Sequence, residues 1–293
     1  MKKGLLFLLA AFIAMFSIAQ PYVDVLNVRT VQSPDKGFIR RNNDKNSFQY
    51  FNASLTLPIR FKKTGGALII SPYVENWQVS LADVSRQTIT LPIERNQFNA
   101  SGIGLPITLL TPIPRSKFVL NTTMILRSNA EKMNLSGSFQ AGGFFVMNYK
   151  INPKLTVKAG LYYNREAFGN FFMPLAGLEY KIDSTFQIWG TLPGSLFLEK
   201  KLRTRWYAGL TFKAVNNSYQ LLNNEYIQFN DNQLSLFTDV YLTKKLVLNL
   251  EAGHSLFRRI RLGKTGSIKQ YVYETSINDN LLFRVSAIYR IRL

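Results

Sequence analysis

Segment after segment of this chain alternates apolar and polar residues with a period of two, and no other feature constrains the fold as much. In the last segment Leu281, Phe283, Val285, Ala287, Tyr289, Ile291 and Leu293 share one face, and Arg284, Ser286, Arg290 and Arg292 the other. Leu246, Leu248, Leu250, Ala252 and Leu256 oppose Asn249, Glu251, Gly253 and Ser255. Trp206, Ala208, Leu210, Phe212 and Ala214 alternate with Tyr207, Gly209, Thr211 and Lys213. Leu155, Val157, Ala159, Leu161 and Tyr163 do so with Thr156, Lys158, Gly160 and Asn164. These are strands with one apolar face, and runs of roughly ten residues have the length that crosses a bilayer at a tilt.

A soluble β-sandwich alternates too, so the connections must decide. Strands are expected near 22–32, 48–62, 66–80, 97–109, 117–127, 137–150, 154–165, 170–182, 185–192, 195–201, 205–216, 233–243, 246–257 and 280–292. One set of links is tight. The alternate set is mostly longer, at 33–47, 81–96, 128–136, 217–232 and 258–279. Tight turns at one end and long loops at the other are the organisation of an outer-membrane barrel. The count is about fourteen, or twelve if the pair around Leu196 does not form. Closure follows from solvent: in hydrocarbon an open edge leaves backbone groups unpaired at several kcal/mol each. The reading is therefore an all-β chain, a transmembrane antiparallel barrel over residues 20–293.

Residues 1–19 read as a signal peptide. Lys2 and Lys3 precede an uncharged apolar run from Gly4 to Phe16, and Ser17-Ile18-Ala19 supplies the small residues of a cleavage site after Ala19. The expected destination is the outer membrane of a Gram-negative envelope, reached with the help of the barrel-assembly machinery. Composition removes the rival classes. With 46% hydrophobic and 13% aromatic residues the chain is not disordered, and a mean hydropathy of −0.03 does not suit a polytopic helical membrane protein. The chain has no cysteine and one histidine, which excludes disulfides, thiolate chemistry and multi-histidine metal sites. No P-loop or dinucleotide fingerprint is present, and no cofactor is expected.

The middle of the chain, from about residue 115 onward, resembles a Gram-negative outer-membrane barrel family catalogued as domain of unknown function 6268. The resemblance is carried by Ala159-Gly160-Leu161-Tyr162-Tyr163, Phe168-Gly169, Pro174 to Tyr180, Trp189, Leu192-Pro193, Leu198 to Leu202 and Tyr207-Ala208-Gly209-Leu210. It implies a barrel and lends no activity.

Candidate chemistry lies in the bore. Asp239 and Glu251 fall at similar heights on neighbouring strands, with Arg284 near them on the next strand and Arg290 lower. That predicts a lumenal acid–base cluster, read either as a cross-link of the wall or as a selectivity constriction. Lys150, Lys158 and Lys213 add positive lumen charge, which favours anionic solutes. His254 and Ser255 point to opposite faces, so the spacing of a barrel-embedded phospholipase is missing, and no enzyme activity is expected. Tyr163, Tyr180, Trp206 and Tyr289 suit interfacial aromatic girdles. The net charge of +19 is spread over both ends: Lys62, Lys63, Arg115, Lys117, Lys154, Lys244 and Lys245 at tight turns, Arg40, Arg41, Arg258, Arg259, Arg261, Lys264 and Lys269 in long loops. This suits lipid and lipopolysaccharide phosphates. Nucleic-acid binding would need one basic face or a motif, and neither exists. The expected function is a passive channel for small solutes, with anions favoured. The alternative is a non-conducting structural or adhesive barrel.

Overall fold

A computed structural model of the chain describes residues 21–34, 47–81, 97–133, 137–266, 271–277 and 280–292. The expected signal peptide, most of the links 33–47 and 81–96, and Leu293 lie outside them, as do Arg40, Arg41 and Lys269.

One antiparallel sheet closes on itself through fourteen strands. They are β1 (Tyr22–Ser33), β2 (Ser47–Leu55 and Leu57–Arg60), β3 (Ala67–Ile70 and Tyr73–Ser80), β4 (Gln97–Pro112), β5 (Phe118–Ala130), β6 (Phe139–Asn152) and β7 (Leu155–Glu166). Then come β8 (Gly169–Lys181), β9 (Phe186–Leu192), β10 (Ser195–Arg203), β11 (Trp206–Gln220), β12 (Glu225–Tyr241), β13 (Leu246–Lys264) and β14 (Tyr271–Ile277 and Asn280–Arg292). Each strand pairs with the next. The seam is β1 on β14, running from Tyr22↔Arg292 to Gln32↔Phe283, so no edge strand remains at the seam.

The burial pattern reverses that of a soluble protein. Leu26, Ile103, Phe145, Leu161, Phe172, Leu210, Leu236, Leu250 and Phe283 are exposed on the outside, while Arg127, Glu166, Asp231, Asp239, Glu251, Arg258, Arg284 and Arg290 are buried inside. An apolar belt of this extent around a charged interior is stable only when hydrocarbon replaces water outside.

The tight turns fall where the spacing places them, at 61–66, 113–117, 153–154, 182–185, 204–205 and 242–245. In the first, Gly65 takes φ +67 while Phe61 N bonds Gly66 O at 2.9 Å. Two expected long loops are instead largely strand. The segment 217–232 holds the end of β11, one short 3-10 turn (Leu222–Asn224) and the start of β12, and 258–279 holds the end of β13 and the start of β14. Two physical causes hid them. On β13 the pairing slips between Asn232↔Phe257 and Gln233↔Ser255, a bulge that moves the inward set from Asn249, Glu251 and Ser255 to Arg258, Ile260 and Leu262. On β12, Glu225 to Phe229 are all buried, so alternation vanishes. Arg258 is therefore an interior residue of β13, and Arg259, Arg261 and Lys264 also lie on that strand rather than in a loop.

Candidate functional site: the barrel lumen

The inward residues form three tiers. Nearest the tight turns, Arg290 on β14 holds Asp24 on β1 (Nε–Oδ1 2.5 Å) and is ion-paired with Asp239 on β12, which also accepts Asn249 Nδ2 at 2.7 Å. The Arg290 guanidinium lies 3.5 Å over the Tyr22 ring. Arg292 pairs with Glu199 on β10 and lies 3.6 Å over Tyr207. This tier ties β1 to β10 and to β11–β14, and fills that half of the bore.

In the middle tier Glu251 on β13 serves two cations, Lys213 on β11 (Nζ–Oε1 2.6 Å) and Arg284 on β14, and Arg284 Nη2 also donates to Gln233 Oε1 at 2.9 Å. The expected single cluster is thus two: Asp239 faces Asn249 across the ladder, and Glu251 sits two residues higher opposite Phe237. Lys158 lies elsewhere, paired with Glu179 on the β7–β8 wall. Lys150 is exposed near the tight-turn end of β6.

The loop-end tier is the part that strand spacing could not reveal. The β11–β12 hairpin folds inward across the mouth. Gln220 pairs in parallel with Ala130 at the end of β5, and Glu131 N bonds Gln220 O at 2.8 Å. Ser218 takes bonds from Asn129 and Gln140 and donates to Glu166 at 2.7 Å, while Arg127 is ion-paired with Glu166. Tyr219, fully buried, donates its hydroxyl to Glu75 on the far wall at 2.5 Å. Beneath the hairpin lies an apolar layer of Phe48, Trp77, Phe229, Ile260 and Leu262, with Trp77 and Phe229 stacked at 5.0 Å. Each inward apolar residue here packs on another, which is how a wide bore is closed without backbone.

Between these tiers is a chamber of about 700 Å³. Its lining includes Arg29, Lys158, Lys213 and Arg284 with one carboxylate, Glu75, and descends along β2–β7 through Thr56, Ser71, Asn121 and Asn148 toward the tight turns. The four girdle aromatics lie on the outer face: Tyr163, Tyr180 and Trp206 are exposed, and Tyr289 is half-buried beneath Lys245 Nζ at 5.6 Å. Trp206 Nε1 donates to Thr238 at 2.9 Å. His254 lies on the outward side while the Ser255 hydroxyl is bonded to Asp231 inside. Among the described residues no group of three potential metal ligands converges.

Solved structures similar to this chain include outer-membrane barrels of very different sequence. An outer-membrane channel from Pseudomonas putida F1 shares 8% identity, with 94% of this chain and 100% of that one covered and a TM-score of 0.47. The KdgM porin in complex with oligogalacturonate shares 7% over 90% and 98%, at 0.37. The TodX monoaromatic hydrocarbon channel (a deletion mutant) shares 11% over 92% and 89%, at 0.37. No curated protein matches the sequence. The sequence does match the family described as a domain of unknown function, DUF6268, over residues 35–292, a longer stretch than the one from residue 115 that carries the resemblance, and the protein belongs to that family.

Proposed function

We propose that this protein is an outer-membrane transport barrel that passes small anionic solutes through its central chamber. The observation that carries the reading is the chamber's lining: Arg29, Lys158, Lys213 and Arg284 surround a cavity into which Glu75 alone of the carboxylates faces. Their neighbours Glu179 and Glu251 offset part of this charge and leave a net positive field, which concentrates anions in a narrow low-dielectric space. The β11–β12 hairpin then serves as the closed gate at the loop end. The exposed bases Lys62, Lys63, Arg115, Lys117, Lys154 and Lys244 meet lipid phosphates at the tight-turn end, and the aromatics Tyr180, Trp206 and Tyr289 sit at that interface.

Reconstitution into planar bilayers tests the reading. Discrete conductance steps are expected, with a reversal potential in a salt gradient on the anion side; cation preference overturns it. A second reading, a non-conducting structural barrel, is favoured by the number of bonds holding the hairpin across the mouth. It predicts a silent bilayer even under large applied voltage. On a detergent gel the unboiled protein is expected to run faster than the boiled one, as a closed barrel does.

A further inference from the structure

The pairing registers define a break in the barrel wall. β8 is joined to β9 only from Ala176 to Lys181, so residues 169–175 have β7 on one side and, among the described residues, no ladder on the other. β11 is joined to β10 only from Trp206 to Lys213. Above that, Ala214 N bonds Gly194 O at 2.8 Å and, among the described residues, the strand ladders with β12 alone as far as Tyr219. Two strands are therefore missing between β8 and β11 above the 193–194 turn. The gap is three interstrand steps wide at its sill, about 14 Å, and follows β8 upward for about 23 Å. It closes at the top, where Ala167 N donates to Ser218 Oγ at 3.0 Å and Phe168 packs on Tyr226 at 6.0 Å.

The chamber reaches this gap. Five consecutive residues of β11, 213 to 217, line it. Successive strand residues point to opposite faces, so a cavity that touches all five borders the backbone of this strand as well as its inward side chains. Thr191 and Gly194 at the sill and Phe171, Met173 and Leu175 on β8 complete the lining. At membrane depth unpaired backbone is tolerated only where it borders protein or a watered cavity, and this edge borders the chamber.

The cavity is also two-sided. Phe144, Val146, Phe171, Met173 and Leu175 form an apolar wall beside the gap. Arg29 on β1 and Arg284 on β14 lie across the lumen, Lys213 lies on β11 at the gap's other edge, and the one cation within the apolar wall, Lys158 on β7, is paired with Glu179. The Nε atoms of Arg29 and Arg284 are buried with no hydrogen-bond partner, and Arg29 Nη2 donates only a long bond, 3.4 Å, to Tyr50. Arg284 is otherwise held by Glu251 and Gln233, which leaves the guanidinium of Arg29 as the ready partner for an anionic head.

We propose that the gap between β8 and β11 is a lateral portal, and that the chamber behind it binds a small amphipathic anion, an apolar body with a carboxylate head, exchanged with the hydrocarbon around the barrel. This rests on the transport reading and names its substrate class and path.

Two measurements in nanodiscs test it. With Trp77 kept as the single tryptophan (W189F, W206F), 11-bromoundecanoate quenches fluorescence saturably, about tenfold less tightly in Arg29→Gln, and more tightly than 11-bromoundecanol. Absence of saturable quenching, or an alcohol equal to the acid, overturns the ligand class. Bimane attached at Leu175→Cys, or at Met173→Cys if that variant folds poorly, is quenched by acyl-brominated phosphatidylcholine more strongly than bimane at Asn121→Cys. Equal quenching overturns the portal. Conductance is recorded separately: a silent barrel that passes both tests defeats the transport reading alone, and a conducting barrel that fails both defeats the portal alone.

Discussion

Glu251 and Glu274 allow the cost of interior charge to be measured against an internal control. Each carboxylate serves two cations. Glu251 binds Lys213 at 2.6 Å and also Arg284; Glu274 binds Arg259 at 3.1 Å and Arg261 at 2.7 Å. They differ in burial: the Glu251 side chain is 5% exposed and that of Glu274 is 36% exposed. Glu251→Gln leaves two buried cations side by side without a counterion, which costs about 3–5 kcal/mol. Glu274→Gln removes exposed pairs worth about 1 kcal/mol or less. Equilibrium urea unfolding in phospholipid vesicles, followed by tryptophan fluorescence, reads the difference. With slopes of about 1–3 kcal/mol/M, the two variants' midpoints separate by about 1 M or more, with E251Q the less stable. Coincident midpoints would refute the claim that the middle tier cross-links the wall.

Three further outcomes are expected. Arg284→Glu replaces a chamber cation with an anion beside Glu251 and shifts the reversal potential away from anions; an unchanged potential counts against a role for this tier in selectivity. Replacing residues 217–224 by two glycines removes Ser218, Tyr219 and Gln220 from the mouth and raises single-channel conductance severalfold, whereas an unaltered step size means the hairpin is not the closure. Asp183, in the exposed β8–β9 turn, accepts bonds from Thr185 N, Thr185 Oγ1 and Phe186 N, and these hold its pKa below the ordinary 3.8. A depressed carboxylate contributes stability that is full above the unfolded pKa and is lost as pH falls through the folded one. An NMR titration should therefore give a midpoint under 3.8, and one at or above that value contradicts the turn geometry.

Alternation made the barrel wall legible, because each strand in the belt has lipid on one side and side-chain-filled bore on the other. Arg284 and Arg290 could be assigned inward from their parity with Ser286, and Glu251 from its parity with Asn249. The same rule failed where its premise failed. The bulge on β13 shifts phase, so Arg258 and Leu262 lose their relation to Glu251. Tyr226 and Ile227 are buried on both faces of the folded hairpin, and an Asn-rich stretch with no alternation looks like a loop. Pairings across the bore, such as Tyr219 with Glu75, depend on barrel curvature and have no counterpart in local spacing.

One signal in the sequence did mark the hairpin's departure from the wall, and it links the gate to the portal. On the outward face the cross-strand pair Phe212↔Leu234 is apolar, and the pairs above it are Ala214↔Asn232, Asn216↔Asn230 and Ser218↔Gln228. Outward residues turn polar at the height where β10 ends and Gly194 accepts the last bond from Ala214. Pro193 there cannot donate to a continuing ladder, so the β9–β10 hairpin stops short. β11 loses its neighbour and is free to lean over the bore, which removes its outer face from lipid and relieves that face of any need to be apolar. The inward fold of β11–β12 and the opening beside β8 therefore share one cause, the shortness of β9 and β10. A chain in which those two strands were extended to the height of Ser218 would seal the wall and push the hairpin upright together.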